Sequence, residues 1–344
     1  MTEVRKLKTE NKDAAKRHSH SPSPIFRLLS SDTDITAAIA GRLLSLTVSD
    51  KAGQKSDTAE LRLDDRGGHI ELPRKGAELD VSLGYEQALV KMGVYVVDEL
   101  ELNSPPATLT IRARAANMRK SLKEHKTRAF DEMTLSALVQ TIATEHDLEP
   151  RIGETLAAIP IPHIDQTEES DLHLLTRLAK DHDAVAKPAG GYLLFVPRGE
   201  AKSATGKTLP ALTLTPGDVS DYRVTLADRG RYQAVKANWH NTETGERIEV
   251  KVGEGKPVFT LRHTCPDAEQ AKAAARGKLD ALSRGTATLS LTLKPGNPQV
   301  AAESKLTLTG FRDGIDGDWT ATQVDHELND SGYSTRIQAE TPKK

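Results

Sequence analysis

The stretch Ala201-Lys202-Ser203-Ala204-Thr205-Gly206-Lys207-Thr208 ends in the Gly-Lys-Thr of a phosphate-binding loop. Such a loop wraps backbone amides around a phosphate and sets its lysine at the start of a helix. Here Ala201 stands where the first glycine is required, and Leu209-Pro210 blocks a following helix. Nucleotide binding is therefore not expected. Asp313, Asp316 and Asp318 cluster, and Glu327 stands where a calcium loop counted from Asp316 would place its bidentate glutamate. The glycine that such a loop needs at its middle is Ala321, and Trp319 to Leu328 alternates like a strand. Asp313-Gly314 and Asp316-Gly317 are turn dipeptides, so a hairpin loop is expected and no calcium site.

His163, His173 and His182 are spaced about ten residues apart. His173 and His182 share a helix, but their separation is about two and a half turns and puts them on opposing faces. No His-Glu-x-x-His pattern is present, and surface or capping histidines are expected. The carboxylate pairs Glu168-Glu169 and Asp64-Asp65 raise glycoside hydrolysis, which needs two carboxyls facing each other across a sugar. Adjacent acids at turns and caps are solvated instead, and there is no Gly-x-Ser-x-Gly elbow. Cys265 is the single cysteine, so no internal disulfide is possible, and one thiol falls short of a structural zinc site. These residues assemble no catalytic, cofactor or metal site, and the chain is expected not to be an enzyme.

The chain has 344 residues, 37% hydrophobic, 28% charged and only 4% aromatic, so its cores must be built from Leu, Val, Ile and Ala. The formal charge of -2 and the even spread of Lys and Arg argue against a sequence-specific nucleic-acid reader or a polybasic membrane binder. No stretch is long and apolar enough to span a bilayer, and the charged N-terminus lacks the apolar core of a secretory signal. Residues 1–24 are polar and basic-leaning, and a disordered arm is expected there.

From Ile25 the apolar residues recur with period two, which marks strands with one core face and one polar face. Leu44-Ser45-Leu46-Thr47-Val48, Leu61-Arg62-Leu63, Leu79-Asp80-Val81 and Leu109-Thr110-Ile111 are of this kind. The period changes at Leu135, Leu138, Val139 and Ile142, giving a helix over 134–146. A second helix follows Ser170, a suitable N-cap, with Leu174, Leu175 and Leu178 on one stripe. The connector Ile159-Pro160-Ile161-Pro162 must be extended, and Asp165-Gln166-Thr167 reads as a turn before the capped helix. Strands return at 235–239, 248–252 and 258–263, then a helix capped by Asp267, then strands at 289–293, 305–308, 319–328 and 333–339. The fold class is mainly β: two antiparallel β-barrels, 25–118 and 219–344, flank an inserted α+β domain at 119–218. No short sequence repeat underlies the likeness of the two barrels.

The chain resembles the phage late control D proteins, the hub proteins of contractile tails and of phage-tail-like bacteriocins. The resemblance rests on Asp34-Ile35-Thr36, Leu61-Arg62-Leu63-Asp64-Asp65, Gly76-Ala77-Glu78-Leu79 and Leu83-Gly84-Tyr85. It continues through Met92-Gly93, Val97-Asp98-Glu99, Ala113-Arg114-Ala115-Ala116 and Ile164 to Asp171, and ends with Ala237-Asn238-Trp239 and Gly332-Tyr333-Ser334-Thr335. It implies tube-type barrels, a fold shared with type VI secretion spikes, and a homotrimer that adapts a sixfold tail tube to a threefold central spike. The implied partners are the chain itself, the tube protein, the spike and other baseplate proteins, with no membrane and no cofactor. Assembly in the bacterial host cytoplasm and residence in a virion or tail-like particle follow. The alternative is a peptidoglycan hydrolase or a cell-wall-binding component of the tail tip, the helix pair at 134–183 gripping glycan.

Overall fold

The computed structural model describes residues 23–52, 57–115, 120–189, 191–199, 209–226, 232–241, 244–283 and 287–342. The arm expected at 1–24 lies outside them except for its last two residues, as does the Gly-Lys-Thr stretch at 201–208.

The first lobe contains β1 (Pro24–Ser30), β2 (Thr33–Asp34), the short helix α1 (Thr36–Ala40), β3 (Leu43–Lys51), β4 (Thr58–Asp64), β5 (Glu78–Tyr85), β6 (Ala88–Asn103) and β7 (Thr108–Ala115). An inserted unit follows, with β8 (His125–Thr134), α2 (Leu135–Glu145), β9 (Glu149–Ile152), α3 (Glu154–Ala157), β10 (Pro160–Ser170), α4 (Asp171–Asp181), β11 (Ala184–Ala189) and β12 (Tyr192–Pro197). The second lobe begins with β13 (Leu212–Leu214) and β14 (Val219–Leu226). A satellite of β15 (Ala234–His240), β16 (Arg247–Gly253), β17 (Val258–Cys265) and α5 (Ala268–Ser283) then interrupts it. The lobe resumes with β18 (Ala287–Leu293), β19 (Lys305–Leu308), β20 (Gly317–Asn329) and β21 (Gly332–Glu340).

Period-two sequence becomes strand wherever one face can be buried. Along β18, Ala287, Leu289, Leu291 and Leu293 are buried while Thr288, Ser290 and Thr292 face outward. The helices start at side-chain caps that satisfy otherwise unpaired amides. Thr134 accepts from the Ala137 amide at 3.2 Å, Ser170 from His173 at 3.2 Å and Asp267 from Gln270 at 2.8 Å.

In the first lobe the strand order is β3-β4-β7-β6-β5-β1, and in the second it is β14-β18-β21-β20-β19-β13. Taken in chain order these are the same topology, with the long strands β6 and β20 in the same place. The one departure is at the end, where β1 meets β5 antiparallel and β13 meets β19 parallel. Each lobe curls around its own core. Leu28 of β1 packs in one cluster with Leu46 and Val48 of β3, and Leu214 of β13 packs with Leu289 of β18 and Trp319 of β20. The lobes are fused, because β20 pairs β3 along Gln323–Asn329 opposite Lys51–Ser45, making one 13-stranded sheet.

Two elements sit elsewhere than their sequence suggests. The strands expected at 235–239, 248–252 and 258–263 form, but as the separate sheet β16-β15-β17 with its own core against α5, outside the second lobe's sheet. The stretch Asp165-Gln166-Thr167 is no turn: it lies in β10, where Asp165 pairs Ala129 and Gln166 pairs Arg128 of β8. Asp and Thr favour turns locally, but pairing with β8 holds this stretch extended. A bulge between Gln166 and Glu169, with Glu168 at φ 45°, lets the strand continue to the Ser170 cap.

Candidate functional site: a continuous polar face and its fastenings

The outward face of the fused sheet carries a polar row from β14 of the second lobe to β7 of the first. Arg223 on β14 stands opposite Ser290 on β18, Ser290 opposite Gln338 on β21, and Gln338 opposite Gln323 on β20. Asp325 of β20 then faces Ser49 of β3, whose hydroxyl donates to the Asp325 carboxylate at 2.6 Å. Beyond it, Thr47 faces Glu60 and Glu60 faces Arg112. The charges are largely matched: Arg112 reaches Glu60 at 2.9 Å and both Glu99 and Glu101 at 2.8 Å. A shallow cleft of about 310 Å³ lies on this face and is lined by Arg223, Thr225, Ser290, Gln338 and Glu340. Exposed ion pairs of this kind contribute little to stability and leave the face hydrated.

Where the lobes meet, the opposite face is dry. Leu328 of β20 stands opposite Leu46 of β3, and both are buried in the first lobe's core. Beside them His326 is buried, with its Nε2 donating to the Val300 carbonyl at 3.0 Å and its Nδ1 accepting from the Tyr333 hydroxyl at 2.8 Å. Burial lowers its pKa, holding the ring neutral. Tyr85 of the first lobe donates to the Gly296 carbonyl of the second at 2.9 Å.

The insertion is fastened by Lys187 of β11, whose ammonium donates to Asp50 at 3.2 Å, to Asp57 at 2.8 Å and to the Lys51 carbonyl at 3.1 Å. Asp50 also accepts from the Ala302 amide of the second lobe at 2.8 Å, so this one cluster ties three units together. Burial and the neighbouring Asp50 push Asp57 up to about 6, against the pull of Lys187. For Asp50 burial is the largest influence, yet Lys187 and the Ala302 amide leave its pKa lowered.

Inside the insertion, Asp171 has no solvent exposure and binds Lys126 at 2.7 Å, Arg128 at 2.8 Å, His146 at 2.7 Å and Gln166 at 2.8 Å. Burial works to raise its pKa, but these hydrogen bonds and the Arg128 charge hold it at about 2. Glu145, His146 and Asp171 have ligand atoms close enough to hold a metal. Both Asp171 oxygens are already occupied by cations, and Glu145 is bound by the same Lys126 and Arg128 at 2.7 and 2.5 Å. A divalent ion there would face two fixed positive charges, so the group serves to fasten β8, β10, α2 and α4. Sequence reasoning missed it, since its members are scattered over 126–171 with no motif spacing.

The residues weighed from sequence are not brought together. Asp316 accepts from the Gly310 and Phe311 amides at 2.9 and 2.8 Å, Asp318 accepts from Thr307, and Glu327 sits on β20 beside Asn329. His163 is exposed, and the hydrogen bonds its ring donates to Asp131 and Asp165 raise its pKa. His173 is exposed, and His182 is the C-cap of α4. Glu169 pairs Arg177 at 2.8 Å, Asp64 pairs Arg66 at 2.5 Å, and Cys265 is buried.

Two lobes of one topology, fused through a strand joint and presenting a wetted face, define an assembly protein whose working parts are surfaces. The family model for the phage tail baseplate hub (GPD) matches residues 96–332, and the chain belongs to that family. It is 34% identical over 363 residues to the probable baseplate hub protein of Escherichia phage 186, covering 93% of each chain. It is similar in fold to a tail protein from Neisseria meningitidis MC58, with a TM-score of 0.70 at 10% identity over 93% of this chain and 97% of that one. It is similar also to a type VI secretion system component of E. coli, itself described as structurally similar to T4 bacteriophage tail proteins gp27 and gp5. There the TM-score is 0.53 at 12% identity over 88% of this chain and 74% of the other. The family is structural, so the chain is a hub of the tail baseplate and not an enzyme.

Proposed function

We propose that three copies of this hub form the centre of the baseplate and join a sixfold tail tube to a threefold central spike. The observation that carries this reading is the repeated lobe: both lobes have the same strand order and lie edge to edge in one sheet. Three chains then offer six similar lobes to the tube while repeating only three times toward the spike. The polar sheet face turned toward the axis would line a channel, since hydroxyls and paired charges require water and the apolar faces are used by the cores. The working units are the lobes at 25–118 and 219–344 with the insertion at 119–218 between them; β13 belongs with the second lobe, and the satellite sheet grows out of it. Tube, spike and further baseplate proteins are the partners, met in the host cytoplasm during assembly.

Cryo-electron microscopy of tail particles tests this. Three hub copies with lobes at pseudo-sixfold positions are expected. One chain per sixfold position, or lobes at unrelated positions, would overturn it.

A further inference from the structure

We infer that neighbouring chains join by antiparallel pairing of β14 with residues 98–103 of β6 in the next copy, in the register already used inside the chain between β3 and β20. The inference rests on the trimeric reading above and assigns the surface that makes the trimer.

The strand order maps β3 onto β14 and β6 onto β20. Local irregularities fix the register of that mapping. In β3 a bulge separates the pairs Leu43–Leu63 and Ser45–Arg62, and in β14 an equivalent bulge separates Val219–Leu293 and Asp221–Thr292. Leu46 therefore corresponds to Tyr222. β6 and β20 both end in Glu-Leu-Asn at the hairpin into the next strand, with Asn103 opposite Thr108 and Asn329 opposite Gly332. In both, the asparagine side chain donates to the glutamate two residues back, at 3.0 and 2.8 Å. Leu102 therefore corresponds to Leu328.

Inside the chain Leu328 and Leu46 face each other at 8% and 0% exposure. Their counterparts Leu102 and Tyr222 are 58% and 44% exposed, and Leu226, further along β14, is 64% exposed. The register sets Leu102 directly against Tyr222. On the polar face it sets Glu101 against Arg223, which makes no ion pair among the described residues, and Glu99 against Thr225, as Asp325 stands against Ser49. At these positions apolar meets apolar and anion meets cation, while Leu226 falls opposite Asp98, whose carboxylate is held by Arg114 at 2.6 Å.

Both strands are open where the joint needs them. β14 pairs only with β18, and the β5 side covers β6 as far as Val97, whose amide and carbonyl bond Ala77 and Gly76, leaving 98–103 bonded on the β7 side alone among the described residues. An eight-residue edge with exposed Tyr and Leu and no Lys or Pro invites pairing. The contact uses different surfaces on the two copies, so it is head-to-tail and closes only as a ring.

The double variant L102C/Y222C tests the joint in tail particles built with the full chain. Both sites are exposed in the single chain, where Y222C removes only an edge-on contact with Phe311 at 5.1 Å, and Cys265 is buried. Directly opposed strand residues lie within reach of a disulfide. On oxidation the double variant should run as a covalent trimer, and either single variant as monomer, because a head-to-tail joint never opposes a residue to itself. R223E should lower the yield of assembled hub about tenfold through like charge opposite Glu101, and E101R/R223E should restore it. Particles with three hub copies whose oxidised double variant stays monomeric would overturn the joint and leave the adapter standing. Particles with another copy number would overturn the adapter and the joint with it.

Discussion

Asp171 holds four side-chain donors with no exposure to water, and its carboxylate is the centre on which the insertion's two layers converge. Its removal leaves Lys126 and Arg128 with Glu145 and partial solvent access, so the cost falls at the low end for a broken buried pair, about 3 kcal/mol. Chemical denaturation of D171A at pH 7 should show that loss. Because the folded pKa lies below the ordinary 3.8, this stabilisation is complete above pH 3.8 and is lost as pH falls toward about 2, so variant and wild type should converge there. His326 works in the same direction at milder pH. Burial lowers its pKa beneath the ordinary 6.5, so the neutral ring's contribution is complete above pH 6.5 and is lost as pH falls further. The stability difference between wild type and H326N should narrow from pH 7 to pH 5, since only wild type titrates; a constant difference would count against a neutral ring at the joint.

Among the elements, the contact of α5 with α4 is set by one residue. A Cβ on Gly277 would lie 2.5 Å from the Asp181 carbonyl oxygen and 3.1 Å from its carbon, so the helices approach this closely only over glycine. Alanine would favour helix α5 by about 1 kcal/mol. Overpacking against backbone costs about 1–3 kcal/mol, and a backbone carbonyl cannot swing away as a side chain does. G277A is therefore expected to lower the melting temperature, with hydrogen exchange rising in α5 and β15 first. A rise in melting temperature would show that the satellite shifts freely on the insertion. Some of this level is legible locally: Thr134, Ser170 and Asp267 are polar residues placed just before apolar stripes, and each caps its helix. Gln166 is not, because a polar residue between Asp and Thr looks like a turn until β8 and Asp171 are set beside it.

At the scale of the whole molecule, the three units are held in one arrangement by Lys187 and its two carboxylates. Replacing it by methionine leaves the partly buried Asp50 and Asp57 side by side without a cation, and their residual exposure puts the cost at the low end for a broken buried pair, about 3 kcal/mol. Asp57 carries a folded pKa of about 6 even with the lysine present. A raised carboxyl contributes most below its ordinary 3.8 and loses that contribution as pH rises through about 6. The defect of K187M should therefore be larger at pH 8 than at pH 5, where protonation relieves the pair. D57N in the K187M background should recover part of the loss at pH 8 and little at pH 5. Equal defects at both pH values would mean that Lys187 acts through packing alone.

The amino-acid sequence by itself determined the mainly β class, the alternation that makes each strand one-faced, and the helix starts. Each depends on residues within a few positions of one another, where side-chain period and capping geometry leave little choice. It also carried the Glu-Leu-Asn triplets at 101–103 and 327–329, but three residues do not stand out as a repeat until the strand order makes them equivalent. Only the tertiary structure decided that 234–265 leaves the second lobe and that β13 joins it. It alone decided that Ser49 meets Asp325, 276 positions away, to fuse the lobes. Strand pairing is chosen by which edge remains open after the cores have closed, and no local period encodes that choice.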